Sequence, residues 1–121
     1  MSAKVEPATV EPLEGTDLNR LVLTAKAVER LGIKTGEVRN VPVPGSTEPR
    51  KVAPYAAVIY DTKGETLMYM QKDPLVFVRH PVTVDRIAGN DVFLLDGPEA
   101  GTAVVTVGAS ELFGIEFGIG K

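Results

Sequence analysis

The stretch from Leu75 to Gly114 constrains the fold more than any other part of the chain. It holds three strand-like runs, which two sharply marked turns separate. Within the first run, apolar and polar side chains alternate. The even-numbered positions hold Val76, Val78, Val82 and Val84, and the odd-numbered positions hold Arg79, Thr83 and Asp85. Because successive side chains of a strand point to opposite faces, this alternation predicts strands that are buried on one face and solvated on the other.

The two turns divide this stretch into separate strands. Gly89-Asn90 lies between the runs 84–87 and 92–95 and predicts a two-residue β-hairpin, because such turns need positive φ angles. The second break, at 96–101, contains two glycines and a proline and leads into a strand predicted at 102–107. The whole stretch therefore predicts antiparallel β-structure.

One short helix is predicted, over Thr24–Leu31. Thr24 is a favoured N-cap residue, and Gly32 stands where a left-handed residue would end the helix. Ile33 is then expected to pack on Val28, as in a Schellman motif. Because two turns of helix are marginal in water, packing rather than propensity must hold this one.

The remaining strands are predicted from short apolar runs between turn signals. They lie at 18–23, 33–41, 51–60 and 66–71, with a Pro-rich loop at 42–49 and a turn at 61–64. With about seven strands and one short α-helix near the N-terminus, the fold class predicted is mainly β, a compact antiparallel β-barrel or β-roll.

The length of 121 residues suits one domain with a modest core. We predict an extended or mobile N-terminal segment at 1–17, a single β-rich domain at 18–115 and a Gly-rich C-terminal tail at 116–121. The segment 1–17 is assigned on its prolines, glycine and acidic residues.

Composition excludes several classes of function. The net charge is −3, with 13 basic and 16 acidic residues interspersed, so no basic patch predicts a nucleic-acid partner. The lack of cysteine excludes a disulfide, a thiolate nucleophile and a cysteine zinc site. The chain has no run of about 18 apolar residues, so no transmembrane segment is predicted in it. Met1 to Lys4 lead into polar sequence without the apolar core of a secretion signal.

Candidate chemical groups are few. The single histidine, His80, has no nucleophile motif beside it, and we interpret it as a structural or surface residue. Met68 and Met70 share a strand face, and soft sulfur suits monovalent copper or silver, although paired methionines more often fill a core. No spacing rule places His80 beside them. We predict no catalytic, cofactor-binding or metal-binding residues and no cofactor, and we predict that the protein is not an enzyme.

The charged residues also receive structural interpretations. The aspartates fall mostly in or beside predicted turns, where a carboxylate accepts local backbone hydrogen bonds, as we expect for Asp61. Contact with an acidic partner is one interpretation of Arg79 and Arg86, but we interpret them as solvated charges on strands.

Several segments carry a family resemblance; in chain order they are Ala53–Tyr60, Leu67–Met70, Phe77–Val84, Leu94–Thr102 and Val104–Ala109. Their strand and turn patterns resemble the membrane-proximal domain of periplasmic adaptor subunits (membrane fusion proteins) of RND-type efflux pumps. Ala53–Tyr60 looks like the strand that closes the β-barrel of that family. Residues 23–38 resemble the segment that precedes its helical hairpin, and the resemblance covers roughly residues 20 to 115.

The chain departs from the family between these ends. A full adaptor carries a lipoyl-like domain and a long α-helical hairpin there, whereas here the loop Pro42–Pro49 spans the gap. The resemblance therefore implies the membrane-proximal and β-barrel part only, without the contacts that the hairpin makes to an outer-membrane channel.

The resemblance implies a non-enzymatic, extracytoplasmic adaptor-like module, periplasmic or at the cell surface, with lipid anchoring of a precursor left open. Its expected partner is a membrane transporter subunit or a copy of itself. Met68, Met70 and His80 leave open a second interpretation, a small copper- or silver-binding or ligand-carrier protein of the cell envelope. The third interpretation is that the chain is a fragment of a larger adaptor.

Overall fold

The structure is a computed structural model, which describes residues 8–13, 18–45 and 47–117. Within these residues the chain forms eleven strands, two α-helices and one 3-10 turn. The strands are β1 (Ala8–Pro12), β2 (Asn19–Leu23), β3 (Lys34–Glu37), β4 (Arg39–Val41), β5 (Arg50–Pro54), β6 (Ile59–Tyr60), β7 (Thr66–Asp73), β8 (Val76–Pro81), β9 (Thr83–Ala88), β10 (Asp91–Asp96) and β11 (Ala103–Val107). The helices are α1 (Ala25–Leu31) and α2 (Ala109–Phe117), and the 3-10 turn is Tyr55–Ala57.

The strands form two antiparallel sheets. The seven-stranded sheet has the order β1-β2-β8-β7-β11-β3, and β6 also pairs with β7. The four-stranded sheet has the order β4-β5-β10-β9. The predicted class, mainly β with antiparallel pairing, is therefore confirmed.

Three layers result from the alternation of side chains along the seven-stranded sheet. In β7, Leu67 and Tyr69 lie in an apolar cluster with Ala27 of α1 and Leu112 of α2. Met68, between them, lies in a second cluster, which it shares with residues of the four-stranded sheet. Because neighbouring strand residues face opposite ways, one face of the seven-stranded sheet packs on the helices and the other on the four-stranded sheet.

The two sheets are not closed into a barrel. Among the strands described, the outermost strands β1 and β3 of the larger sheet do not pair with each other, and neither do β4 and β9 of the smaller one. The chain instead leaves the larger sheet at Glu37 and enters the smaller one at Arg39, with Val38 buried at the crossing. This crossing stacks the sheets face to face, so the barrel or roll is not confirmed.

The predicted N-terminal helix is confirmed with both of its caps. Thr24 is the N-cap, and its Oγ1 accepts a hydrogen bond of 3.1 Å from the backbone N–H of Ala27. Gly32 ends the helix with a φ of 64°, in the left-handed region that glycine tolerates. The backbone N–H of Ile33 then donates to the carbonyl of Val28, as the Schellman motif requires.

Two predicted strands are interrupted in the structure. The strand predicted at 33–41 becomes β3 and β4, because Val38 bonds outside both sheets, donating to the Thr102 carbonyl and accepting from the Gly101 N–H. The strand predicted at 51–60 is broken after Pro54 by the 3-10 turn, which leaves only β6 beyond it.

The hairpin predicted at Gly89-Asn90 and the turn predicted at 61–64 are both present. Gly89, with a φ of 62°, and Asn90 connect β9 to β10. The Asp61 carboxylate accepts hydrogen bonds from the backbone N–H groups of Lys63 and Glu65, each at 2.8 Å. The bond from Glu65 is the largest cause of the lowered pKa of Asp61, and the bond from Lys63 adds to it. As predicted for turn aspartates, this carboxylate serves the local backbone.

The expectation of a single helix near the N-terminus is incomplete, because α2 covers Ala109–Phe117. Gly114, which the sequence analysis left in the β-rich domain, therefore lies in a helix. Buried residues at Ala109, Leu112 and Glu116 give α2 one face that packs on the sheet. The first two residues of the predicted tail, 116 and 117, end this helix, and 118–121 lie outside the described residues.

Part of the predicted N-terminal segment 1–17 is a strand. Residues 8–12 form β1, which pairs with β2 from Ala8 opposite Leu23 to Pro12 opposite Asn19. Residues 1–7 and 14–17 of that segment lie outside the described residues.

Candidate functional site

Glu116 is the one charged residue that is buried among those that the structure describes. Its Oε1 accepts a hydrogen bond of 2.6 Å from the hydroxyl of Tyr69. Its Oε2 accepts one of 3.0 Å from Asn19 Nδ2. Arg79 Nε lies 3.2 Å from both oxygens. We call these four residues the Glu116 clamp.

The register of the sheet assembles the Glu116 clamp. Tyr69 of β7 lies directly opposite Arg79 of β8, so both side chains leave the same face of the sheet. That face packs on the helices, and Glu116 lies in the last turn of α2. The clamp therefore connects α2 to two central strands and, through Asn19, to β2.

The electrostatics of the clamp favour a neutral tyrosine. Burial raises the pKa of Tyr69, and the hydrogen bond to Glu116 and its negative charge raise it further. The side chain of Arg79 is only 16% exposed, and its guanidinium lies 5.1 Å from the ring centroid of Phe117. The interpretation of Arg79 as a solvated charge is therefore wrong.

The clamp has the chemistry of a structural connection. Both carboxylate oxygens of Glu116 already accept two hydrogen bonds each, and the raised pKa keeps the proton on Tyr69 at neutral pH. A general base needs a free acceptor beside a reacting group. Sequence reasoning missed this cluster because 47 positions separate Tyr69 from Glu116, and only the packing of α2 unites them.

The structure brings His80 and the two methionines together. Met68 of β7 is paired directly with His80 of β8, and Met70 lies two positions farther along the same face of β7. Met68 is fully buried between the sheets, whereas Met70 and His80 are partly exposed. No spacing along the chain predicted this pairing, since strand register is a long-range property.

A cleft of about 520 Å³ opens beside this group. Met70 and His80 line it together with Lys51, Lys72, Gly97, Pro98, Glu99 and Thr102. The Nζ of Lys51 donates a 3.0 Å hydrogen bond to the carbonyl of Gly97, which directs that ammonium group toward the wall of the cleft.

The imidazole of His80 has a defined tautomer. Its Nδ1 lies 2.7 Å from the carbonyl oxygen of Pro81. A carbonyl oxygen only accepts hydrogen bonds, so Nδ1 carries the proton and donates it. In the neutral ring, Nε2 then holds a lone pair.

Strand β9 forms one edge of the four-stranded sheet. All of its residues except Val84 are exposed, and the backbone of its outer side pairs with no other strand that the structure describes. Ile87 on β9 and Leu95 on β10 are large apolar residues that are 46% and 60% exposed. Arg86 lies over the ring of Phe93, 4.4 Å from its centroid, so this arginine, unlike Arg79, stays on the surface.

Two features are absent from the residues that the structure describes. No group of three or more histidine, cysteine, aspartate or glutamate residues is placed to hold a metal ion there. No helix in that part of the chain has the length and apolar character needed to cross a membrane. The prediction that the chain has no catalytic or cofactor-binding residues stays a prediction.

Comparison with solved structures shows what the fold resembles. No family model matches the chain, and no curated protein matches it. The fold is similar to that of an NMR structure of 180 residues, encompassing the N-terminal metal-binding site and the membrane-proximal domain of SilB from Cupriavidus metallidurans CH34. The TM-score is 0.52 at 20% identity, and the match covers 86% of this chain and 66% of that one. This likeness shows the fold, and it agrees with the predicted resemblance to a membrane-proximal domain.

Proposed function

We propose that this chain is a non-enzymatic, extracytoplasmic adaptor-like module that works by protein–protein contacts. Its partner is a membrane transporter subunit or a second copy of the chain. The likeness of fold to a structure that contains the membrane-proximal domain of SilB supports this class of protein. The strand and turn patterns of residues 20–115 support the same class.

The observation that carries the proposal is the outer edge of β9, which pairs with no other strand among the described residues. An apolar side chain is exposed on β9 at Ile87, and another on the neighbouring strand β10 at Leu95. An unpaired strand edge presents a row of backbone N–H and C=O groups that another strand can extend. Ile87 and Leu95 add exposed apolar area to the β9–β10 hairpin, whose turn is Gly89-Asn90. We assign the contact surface to this hairpin, which we call the β9 edge surface.

Photo-crosslinking tests the proposal at single residues. A photoreactive phenylalanine analogue replaces Ile87, and a matched protein carries it at Lys26, an exposed position on α1. The chain is expressed in the envelope of its source cells and irradiated, and the products are identified by mass spectrometry. We expect a transporter subunit or a second copy of the chain from position 87 and neither from position 26.

Substitutions sharpen this experiment. Leu95→Lys, combined with the photoreactive residue at position 87, should lower the crosslinking yield about tenfold or more, because it places a charge on the β9 edge surface. Ile87→Lys, which cannot carry the crosslinker, should lower the co-purification yield by a similar factor. Tyr60→Lys is the control, because Tyr60 is 56% exposed but lies on the other sheet. A strictly monomeric chain that crosslinks to no membrane protein from either position would overturn the proposal.

A further inference from the structure

We propose that the cleft between the two sheets binds an organic phosphate, that is, a phosphate group with a carbon substituent. The cleft has a volume of about 520 Å³ and is lined from both sheets, by Lys51 on β5 and by Lys72 and His80 on β7 and β8. None of the described residues that line it belongs to β9. The inference therefore goes beyond the adaptor function and can fail without affecting it.

The cleft carries positive charge in an acidic protein. The chain has 16 acidic and 13 basic residues, yet two lysines line the cleft and Glu99 is the one carboxylate among the described residues there. In the part of the chain that the structure describes, neither lysine forms an ion pair with a carboxylate. A cleft whose charge is opposite in sign to that of the whole protein attracts anions.

The two lysines supply charged hydrogen-bond donors. The Nζ of Lys51 donates to the carbonyl of Gly97 at 3.0 Å, which fixes the position of this ammonium group. A lysine ammonium carries three N–H groups, so two of them remain for a ligand. Lys72 adds a second ammonium group from the other sheet. Hydrogen bonds from ammonium groups to phosphate oxygens are charge-assisted and about twice as strong as those between neutral groups.

The loop that forms one wall of the cleft is held in place by its own contacts. A Cβ at Gly97 would lie 2.7 Å from Cδ1 of Leu94, so a glycine is needed for the loop to approach β10 this closely. Farther along the loop, the N–H of Gly101 donates to the carbonyl of Val38 at 2.7 Å. This wall is therefore formed before a ligand arrives, which lowers the entropic cost of binding.

His80 supplies a third polar group. Its Nδ1–H is bonded to the carbonyl of Pro81, so Nε2 is the ring nitrogen that remains for a ligand. In the neutral ring Nε2 accepts a hydrogen bond from the hydroxyl of a monoprotonated phosphate, and in the charged ring it donates one to a phosphate oxygen. The histidine therefore suits both protonation states of a phosphate group.

The size and the apolar wall of the cleft favour a phosphate with a carbon substituent over inorganic phosphate. Small-molecule sites commonly measure about 300–1,000 Å³, and this cleft lies in that range, with more room than a bare phosphate fills. Met70 and the buried Pro98 line it beside the lysines. A carbon substituent that packs on these two side chains is removed from water, which adds binding energy.

The test is a titration of the full chain, labelled with ¹⁵N, with phenyl phosphate at pH 7 and constant ionic strength. We expect the backbone amide signals of residues 97–102 and of Lys72 to shift and to saturate together. Inorganic phosphate should bind at the same residues about fivefold more weakly, because it lacks the apolar substituent. Equal affinities for the two anions would overturn the assignment to an organic phosphate.

Charge variants identify the site. Lys72→Gln should weaken the binding of phenyl phosphate about tenfold, because it removes a charged donor. Glu99→Gln should tighten it about threefold, because it removes a repelling charge. Lys63→Gln is the matched control, since Lys63 is an exposed lysine outside the cleft, and it should leave the affinity unchanged.

The amide spectra of these variants without ligand should remain native, which separates loss of binding from loss of folding. The proposal is overturned if phenyl phosphate causes no saturable shift. It is also overturned if Lys72→Gln and Lys63→Gln weaken binding equally, because the anion would then respond only to the net charge of the protein.

A sedimentation experiment distinguishes a lipid headgroup from a soluble ester. If the phosphate belongs to a lipid, vesicles of phosphatidylglycerol should sediment the unmodified chain, and phenyl phosphate should release it. If the ligand is soluble, the vesicles should not sediment the chain, although phenyl phosphate still binds. Both results support the cleft as the phosphate site. Sedimentation that phenyl phosphate does not reverse would overturn a headgroup site in this cleft.

Discussion

The two faces of the seven-stranded sheet are covered in different ways. On the helix face, apolar contacts surround a buried carboxylate, and the Glu116 clamp fixes α2 to three strands. On the sheet face, the cluster between the two sheets consists of apolar residues, with Met68 among them. A short helix needs a specific attachment, whereas two stacked sheets are held by a broad apolar surface and by the chain crossing at Val38.

The two faces therefore differ in what their contacts do. The clamp sets the orientation of α2, whereas the apolar contacts supply net stability. The ion pair of Arg79 and Glu116 gains attraction but loses the hydration of both charges, so its contribution to net stability is small. Removing one partner is costly because the other charge remains partly buried. The clamp therefore specifies where α2 packs, and the apolar clusters on both faces provide most of the stability.

The largest expected effect comes from the apolar core. Phe77→Ala removes a fully buried ring from the helix face and should lower the free energy of unfolding by about 3–5 kcal/mol. Leu94→Ala on the sheet face should cost about 2–5 kcal/mol. Urea unfolding followed by circular dichroism should show a single transition for both. A second transition in Phe77→Ala alone would mean that the two faces unfold separately.

The next effect tests the clamp itself. Glu116→Gln keeps the shape of the side chain but removes the carboxylate charge that pairs with Arg79, and the free energy of unfolding should fall by about 2–3 kcal/mol. Glu11→Gln is the matched control, because it breaks an ion pair with Arg20 in which both side chains are exposed. That control should cost about 0–1 kcal/mol in urea unfolding. Equal losses in the two variants would contradict a specific role for the buried pair.

A smaller effect depends on pH through Tyr69. Tyr69→Phe removes one donor to Glu116 and should cost about 1–2 kcal/mol at pH 7. Because folding raises the pKa of Tyr69, the unfolded chain loses this proton first, and the contribution is complete below about pH 10. Above that pH the free energy of unfolding should fall by about 1.4 kcal/mol per pH unit from this residue.

Urea unfolding between pH 9 and about 11.5 measures this slope. Tyr69→Phe should show a flatter decline than the unmodified chain, since the titrating group is gone. Tyr60→Phe is the control for the loss of a hydroxyl, and at an exposed position it should change the free energy of unfolding at pH 7 by less than about 0.5 kcal/mol. An unchanged slope in Tyr69→Phe would show that the clamp hydroxyl does not stay protonated as described.

The smallest effect concerns the other helix of the same layer. Thr24→Ala removes the side-chain acceptor for the N–H of Ala27 and should lower the free energy of unfolding by about 1 kcal/mol. Thr24→Ser keeps the hydroxyl and should recover most of that loss. If both variants lose the same amount, the threonine methyl rather than the cap bond stabilises α1. Thermal unfolding followed by circular dichroism distinguishes the two outcomes.

The sequence by itself determined the features that depend on neighbouring residues. The caps of α1 at Thr24 and Gly32, the Gly89-Asn90 hairpin and the Asp61 turn each involve groups within five positions of one another. Their backbone preferences and local hydrogen bonds operate in any fold that contains them. The alternation of valines likewise predicted strands that the structure contains.

Only the tertiary structure decided which distant elements meet. Helix α2 contains Gly114 and lies near several other glycines, so local propensity disfavours it, and packing on the sheet holds it in place. The division of the predicted strand 33–41 at Val38 depends on bonds to residues 101 and 102.

The Glu116 clamp and the pairing of Met68 with His80 have the same origin. Strand register is set by the sum of many cross-strand and core contacts, and no spacing along the chain encodes it. The valine pattern and the turns of 75–114 could therefore predict strands, whereas the sheet pairing alone placed an imidazole opposite a thioether.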